Sequence, residues 1–264
     1  MATATALDGA LSQAERAYLV GQFYEAEVLY HQLLGDLPQD SHLFPQALRG
    51  RGLALHELGR LHDAEQQLRR ILIACRHEPV GERVVDALGR LAEAVCEQER
   101  WFEAEALARE AVRRGESALG QRHEATLSAL LALGRVLSRT APAESEPWIR
   151  ETREAIARAL GRSHPVTWTA QQLLVTTLRA LGRWDEAEQA ADDLIVMREH
   201  HQGAGHPYTL RARCDLALIL HAAGKQHEAS AAADFVLDVS VQALDPDHPY
   251  LVRIRRDHAA VTGR

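Results

Sequence analysis

The sequence has few of the residues and segments that define several large classes of protein. Its 264 residues include only three cysteines, an odd number at irregular spacing, which forms neither a disulfide framework nor a CxxC metal motif. We interpret Cys75, Cys96 and Cys214 as reduced, small hydrophobic residues. No run of roughly eighteen apolar residues is present, and the N-terminal stretch lacks the pattern of a signal peptide. We therefore expect a cytoplasmic protein without a membrane partner.

Basic residues are too few for a general nucleic-acid-binding protein. The chain has 30 Lys and Arg against 37 Asp and Glu, a formal net charge of −7, whereas binding to phosphate usually needs an excess of positive charge. The fractions of hydrophobic and charged residues, 46% and 25%, are ordinary for folded protein and exclude a mainly disordered or fibrous chain. We expect no nucleic acid among the partners.

Motifs of the common enzyme classes are also missing. The sequence contains no Gly-rich phosphate loop, no GxSxG and no HExxH. We predict a non-catalytic protein with no cofactor, no catalytic residues and no metal ligands. A cryptic enzyme, or an accessory protein of a biosynthetic complex, stays open as an alternative.

What the sequence does contain is a repeated phrase. GRLHDAEQQL at 59–68 returns almost unchanged as GRWDEAEQAA at 182–191. Looser copies are GQFYEAEVLY (21–30), ERWFEAEALA (99–108) and GKQHEASAAA (224–233). The copies recur about every 40 residues, and one copy is degenerate, at TAPAESEPWIR (140–150), where prolines replace the usual opening. A period of this size indicates a repeat architecture.

A second marker has the same period. HEATL (123–127), HPVTW (164–168), HPYTL (206–210) and HPYLV (248–252) follow one another at intervals of 41, 42 and 42 residues. Their histidines could suggest a metal site, but equivalent points on neighbouring helix pairs lie about 10 Å apart, whereas zinc holds its nitrogens at about 2 Å. We expect these histidines to end loops and begin helices.

Between the markers the hydrophobic pattern is helical. Leu174, Val175, Leu178 and Leu181 form one stripe of a first helix, Gly182 suits the left-handed position that closes it, and a second amphipathic helix follows. Such a pair cannot bury its stripe alone and must stack on copies of itself.

These residues carry a resemblance to the tetratricopeptide repeat (TPR) family, in its 42-residue kinesin-light-chain variety. The matching segments are LGRSHPVTW (160–168), LGRWDEAEQA (181–190), GAGHPYTL (203–210) and LDPDHPYL (244–251). The resemblance implies an all-α fold, a right-handed TPR-type superhelix of about six helix-turn-helix repeats followed by a C-terminal capping helix. Repeats two and three lack the HPxT element, and Arg51 takes a place that leucine fills elsewhere.

We expect a single solenoid over 1–264. Its six repeats are placed at about 3–36, 41–77, 82–117, 123–160, 164–201 and 206–244, and the cap at 248–264.

The resemblance also implies that the first helices line a concave, partner-binding groove. The residues that we expect there are Arg49, His56, Asp86, Leu131, Arg135, Gln172, Thr176, Arg179, Arg211, Leu218 and His221. Four arginines in this set suit carboxylates or phosphates, so we expect a partner peptide with acidic residues. The alternative is that these arginines pair with Asp and Glu of neighbouring helices.

The sequence thus favours a scaffold or adaptor that binds a protein or peptide partner. A peptide- or ligand-sensing module that controls an enzyme or a transcription factor is the second hypothesis. A homodimer through one end of the solenoid is compatible with either, and the composition suggests a bacterial source.

Overall fold

The computed structural model describes residues 4–76 and 79–263, and within them every regular element is an α-helix. The thirteen helices of this part of the chain are α1 (Ala4–Leu19), α2 (Phe23–Asp36), α3 (Phe44–Glu57), α4 (Leu61–Ala74), α5 (Glu82–Glu97), α6 (Trp101–Ala118), α7 (Glu124–Thr140), α8 (Pro142–Leu160), α9 (Pro165–Ala180), α10 (Trp184–Gln202), α11 (Pro207–Ala222), α12 (Gln226–Ala243) and α13 (Pro249–Thr262). The all-α fold of six helix pairs and a terminal helix is confirmed. Positions 3, 77 and 264, where predicted repeats or the cap begin or end, lie outside the described residues.

The helices group into two compact units, Met1–Leu137 and Ser138–Arg264. In the N-terminal unit, α1 packs on α2, α3 on α4 and α5 on α6, and the first helices α1, α3 and α5 also contact one another in series. In the C-terminal unit, α9 packs on α10, α11 on α12, and α13 covers α11 and α12. One solenoid over 1–264 stays a prediction.

Large aliphatic side chains fill each core at the positions that the helical period selects. Leu48, Leu55 and Leu91 are fully buried in the N-terminal unit, and Leu174 and Leu194 in the C-terminal unit. Small residues lie where helices approach closely, and the alanines of the repeated phrase, Ala26, Ala64, Ala104, Ala187 and Ala229, have no exposed surface. A larger side chain at these positions would force the paired helices apart.

The corner between paired helices depends on one left-handed residue. Gly182 has φ 69°, a conformation that costs glycine little. The phrase ERWFEAEALA lacks this glycine, and Glu99 takes its place with φ 62°. Glu99 is the non-glycine residue with positive φ in the described part of the chain, so this corner holds backbone strain that the others avoid.

Histidines cap the first helices of the later repeats. Nδ1 of His164, His206 and His248 accepts a hydrogen bond from the backbone N–H two residues later, at 3.2–3.3 Å. His123 does the same for the N–H of Ala125 at 3.2 Å. A proline follows three of these histidines at a position where its missing N–H costs nothing. The repeated histidine is therefore a helix cap, with its Nδ1 occupied by the chain itself.

Arg51 is accommodated in repeat two by an ion pair. Its guanidinium donates from Nε and Nη2 to Oε1 of Glu27, at 2.9 and 2.8 Å, between α3 and α2. Both side chains are largely covered, so the pair replaces the apolar contact that leucine makes in other repeats.

Candidate partner-binding face

The predicted groove residues of the N-terminal unit form a chain of alternating charges across its first helices. Arg49 of α3 donates from Nε to Oδ2 of Asp86 on α5 at 2.6 Å. Arg90, on α5, lies 3.5 Å from Asp86 and 3.2 Å from Glu93. Arg135 of α7 completes the chain, with its Nε 3.3 Å from Oε1 of Glu93. We call these five residues and the surface around them the first-helix face of the N-terminal unit.

The arginines keep the two carboxylates of this face ionised. Burial alone would raise the pKa of Asp86, but Arg90 and Arg49 outweigh it and hold the pKa below its ordinary value. The pKa of Glu93 is likewise lowered, because Arg135 and Arg90 outweigh the effect of burial. The face therefore carries both signs of charge and not a uniform positive charge.

His56 extends the same face by one helical turn. Its Nε2 lies 3.4 Å from Oε2 of Glu97, which is on α5. Leu131 of α7, which we expected to line the groove, is only 3% exposed, so its side chain is packed inside the unit.

In the C-terminal unit the predicted residues converge on a carboxylate that the sequence analysis missed. Asp215 of α11 is 1% exposed and accepts hydrogen bonds from Nε2 of Gln172 at 2.8 Å and from Nη1 of Arg179 at 3.2 Å. Thr176 turns its hydroxyl back onto the carbonyls of Gln172 and Leu173. Asp215 is not among the residues that we expected on this helix, which were Arg211, Leu218 and His221.

The other predicted residues of α11 are His221, Leu218 and Arg211. His221 is exposed and bonds through Nδ1 to Oε1 of Gln226 at 2.8 Å. Leu218 is half-buried and lines a narrow crevice beside Cys214 and Asp257. Arg211 is also half-buried. Of the four arginines expected to face a partner, Arg49, Arg135 and Arg179 are thus bound to carboxylates of a neighbouring first helix.

The second helices carry a separate set of ion pairs, which the sequence analysis did not anticipate. In each pair the basic residue is the second of one repeated phrase and the acid is the seventh of the phrase before. The pairs are Arg60–Glu27 at 3.9 Å, Arg100–Glu65 at 2.7 Å, Arg183–Glu146 at 3.1 Å and Lys225–Glu188 at 2.7 Å. We call them the second-helix ladder. Ala141 stands at the basic position of the degenerate phrase, and Glu105 instead binds Arg109 of its own helix.

In residues 4–76 and 79–263 no helix is long and apolar enough to cross a membrane. The same residues contain no group of three or more His, Cys, Asp and Glu side chains placed to hold a metal ion.

Comparison with known proteins agrees with this architecture. Models of the tetratricopeptide repeat match residues 83–142, 169–208 and 209–250, together more than half of the chain. Comparison with curated proteins gives no match.

Among solved structures, a Rap protein complexed with competence and sporulation factor is 14% identical, with a TM-score of 0.70 over 98% of this chain and 85% of its own. A Rap conjugation gene regulator of plasmid pLS20, in complex with the Phr* peptide, is 14% identical, with a TM-score of 0.67 over 96% and 74%. The TPR-like repeats of a P. anserina protein described as a kinesin light chain are 19% identical, with a TM-score of 0.54 over 76% and 99%. The chain belongs to the tetratricopeptide repeat family.

Proposed function

We propose that the chain is a non-catalytic interaction scaffold that binds a peptide segment of a partner protein on its first helices. The observation that carries this proposal is the first-helix face of the N-terminal unit. Arg49 is 46% exposed there although it is bound to Asp86, so the face is ordered by the protein and still open to a ligand. Helix-pair repeats typically present such surfaces to extended partners.

Ion pairing does not use up the donors of these arginines. A guanidinium has five N–H groups, and Arg49 directs its Nε and Nη2 at Asp86, which leaves the N–H groups of Nη1 for another acceptor. An acidic residue of a bound peptide fits that role, because the arginine is already oriented and loses little entropy on binding. Acidic groups of the partner would then alternate with basic ones, as the charges of the face do.

The two Rap structures support a peptide as the ligand class. Each is described as a complex, one with competence and sporulation factor and the other with the Phr* peptide. The second is described as a gene regulator, which favours a peptide-sensing regulatory module as the second candidate function. A sensor would change its radius of gyration in solution scattering when the peptide binds, whereas a rigid adaptor would not.

The test is the double variant Arg49→Gln plus Arg135→Gln. Arg90 still contacts both Asp86 and Glu93, so neither carboxylate loses its counter-charge and the fold is preserved. The matched control is Arg109→Gln plus Arg113→Gln on α6, whose acceptors Glu105 and Glu110 are on the same helix.

A peptide selected from a display library on the wild-type protein provides the ligand. We expect its affinity to fall at least about tenfold in the α3/α7 double variant and to be unchanged in the α6 control. Equal affinity for both variants would remove the first-helix face from the proposal. Binding should also weaken with added salt, since partly exposed charges are screened.

We further propose that the chain acts in the cytoplasm of a bacterium. Cys75, Cys96 and Cys214 are buried and none of the three is in a disulfide, as expected in a reducing compartment. A homodimer through the first helix pair is compatible with the exposure of Leu19 and Val20, which are 69% and 59% exposed at that corner. Sedimentation over a range of concentrations would detect it.

A further inference from the structure

A cavity of about 710 Å³ opens on the second-helix side of the C-terminal unit, and none of the residues of the proposed peptide site lines it. Its walls are the C-terminal half of α8 and the middle of α10, its floor is the start of α9, and the α8–α9 connection closes one end. Its volume is within the range of about 300–1,000 Å³ that is usual for ligand pockets.

The α8 side of the cavity is basic. Arg153 and Arg158 project from α8, and Arg162 from the connection that follows it. Glu154 also lines this side, 3.7 Å from Nη2 of Arg153, so the three arginines leave it with a net positive charge. Arg158 and Arg162 are exposed, and neither has a carboxylate partner in the described part of the chain, in contrast to the paired arginines of the first-helix face. Two unpaired guanidinium groups at one mouth attract an anionic group and can each bind it through two parallel hydrogen bonds.

Hydrogen bonds to the floor of the cavity hold the side chain of Arg153 in place. Its Nη1 donates to Oε1 of Gln171 at 2.9 Å, and Gln171, which is buried, donates in turn to the carbonyl of Ala190 at 2.9 Å. The Nε–H of Arg153 is buried and has no acceptor. A buried donor without an acceptor is costly, so an anionic oxygen that enters beside it would bind favourably. The floor of the cavity is therefore ordered before any ligand arrives.

The α10 side is mainly apolar. Val196, which is 67% exposed, and its neighbour Met197 line this side, and Ala157 of α8 also lines the cavity. Asp193 adds one negative charge on this wall. An apolar wall opposite a basic one fits a ligand that carries an aliphatic side chain next to an anionic group.

We propose that this cavity is a second binding site, which holds a short peptide motif of an aliphatic residue followed by an anionic one. Arg158 and Arg162 bind the carboxylate or phosphate, Arg153 orients it, and Val196 and Met197 contact the aliphatic side chain. The site lies outside the first-helix face, so the scaffold can hold two segments at once.

The test measures the binding of three fluorescein-labelled peptides to the full chain by fluorescence anisotropy. The peptides are Leu-Glu-Leu-Glu, the same peptide with phosphoserine in place of glutamate, and the same peptide with glutamine. The proposal predicts that the glutamate or the phosphoserine peptide binds at least tenfold more tightly than the glutamine peptide. Whichever of the two binds more tightly identifies carboxylate or phosphate as the anionic group.

Three variants locate the binding. Arg158→Gln plus Arg162→Gln should weaken the anionic peptide at least tenfold without changing the melting temperature, because both side chains are exposed and unpaired. Arg255→Gln, an exposed arginine on α13, should leave the affinity unchanged, and so should Arg49→Gln plus Arg135→Gln.

The opposite pattern would overturn the second site. Equal binding of all three peptides, or loss of affinity in the Arg49 and Arg135 variant with none in the Arg158 and Arg162 variant, would each contradict it. The latter result would still support the first-helix face, so the failure of one proposal is distinguishable from the failure of the other.

Discussion

Arg100 donates a hydrogen bond from Nη1 to Oε2 of Glu65 at 2.7 Å, and so binds the second residue of one repeated phrase to the seventh residue of the phrase before it. Glu65 also accepts hydrogen bonds from Gln98 and Arg69, each at 2.9 Å. The phrase is therefore more than a helix corner. It carries one half of a contact at its second position and the other half at its seventh, so a copy that keeps both residues can bind to its neighbours, as it does at four junctions of the repeat.

Glu65→Gln should weaken this attachment. The substitution replaces a carboxylate that accepts three hydrogen bonds with an amide that must donate on one side, and we expect the free energy of unfolding at neutral pH to fall by about 1–2 kcal/mol. Urea unfolding measures this change in the free energy of unfolding. The control is Glu105→Gln. The partner of Glu105 is Arg109, which is exposed and lies on the same helix, so this substitution should lower the free energy of unfolding by less than about 0.5 kcal/mol.

The same contact should depend on pH. Burial raises the pKa of Glu65, but hydrogen bonds from Gln98, Arg100 and Arg69 outweigh it and lower the pKa to about 2. A carboxylate with a lowered folded-state pKa stabilises the fold above its ordinary pKa and loses that contribution as the pH falls. The stability difference between wild type and Glu65→Gln should thus shrink between about pH 4.5 and pH 2. A constant difference over that window would contradict the role of ionised Glu65.

Glu99→Gly should stabilise the protein. Glu99 is exposed and holds φ 62°, whereas the matching positions of four other phrases are glycines with positive φ. Relief of the left-handed strain is worth about 1–2 kcal/mol, and the greater freedom of glycine in the unfolded chain offsets part of it, so we expect a net gain of about 0.5–1 kcal/mol. Thermal unfolding would show it as a higher midpoint. Glu99→Ala, which keeps a Cβ, should bring no such gain, and an equal gain in both variants would argue against backbone strain.

His164→Ala should loosen the start of α9. The imidazole Nδ1 accepts the N–H of Val166 at 3.3 Å, and the loss of a side-chain cap typically costs about 1 kcal/mol. His164→Asn keeps an acceptor at that position and should restore most of the stability. The rate of amide hydrogen exchange at Val166 reports on the cap directly. Equal exchange rates at Val166 in the wild type, His164→Ala and His164→Asn would rule out this role for the histidine.

Asp215→Ala should be the most destabilising of these changes. It leaves the amide of Gln172, which is buried, and the guanidinium of Arg179 without their acceptor, at a cost of about 2–4 kcal/mol. Arg179→Ala also destabilises, because it leaves the buried carboxylate without its cation. A double-mutant cycle of the two should show a coupling of about 0.5–3 kcal/mol, and strictly additive losses would mean that the ion pair contributes nothing.

The helices were predictable because their signals are local. The apolar stripe around Leu174 and Leu178 has the helical period, Gly182 marks a corner, and the histidine of HPVTW stands where a cap is needed. The second-helix ladder was also within reach of the sequence, since Arg100 and Glu65 occupy fixed places in copies of one phrase.

The pairing of the first helices was harder to predict. Arg49 and Asp86 are 37 residues apart, and whether an arginine meets a carboxylate or a partner depends on side-chain conformation across two helices. Asp215 lies outside the set predicted on α11, and its burial depends on how α9 and α11 pack. The cavity at Arg158 depends on the spacing of α8 and α10, which is a property of the folded unit.

The most direct test of the central claim is hydrogen–deuterium exchange of the full chain with and without the peptide selected on it. The account predicts slower exchange in the first helices of the N-terminal unit, α3 and α5, where Arg49, Asp86 and Arg90 form the proposed binding face. Unchanged exchange in α3 and α5 at saturating peptide would contradict it.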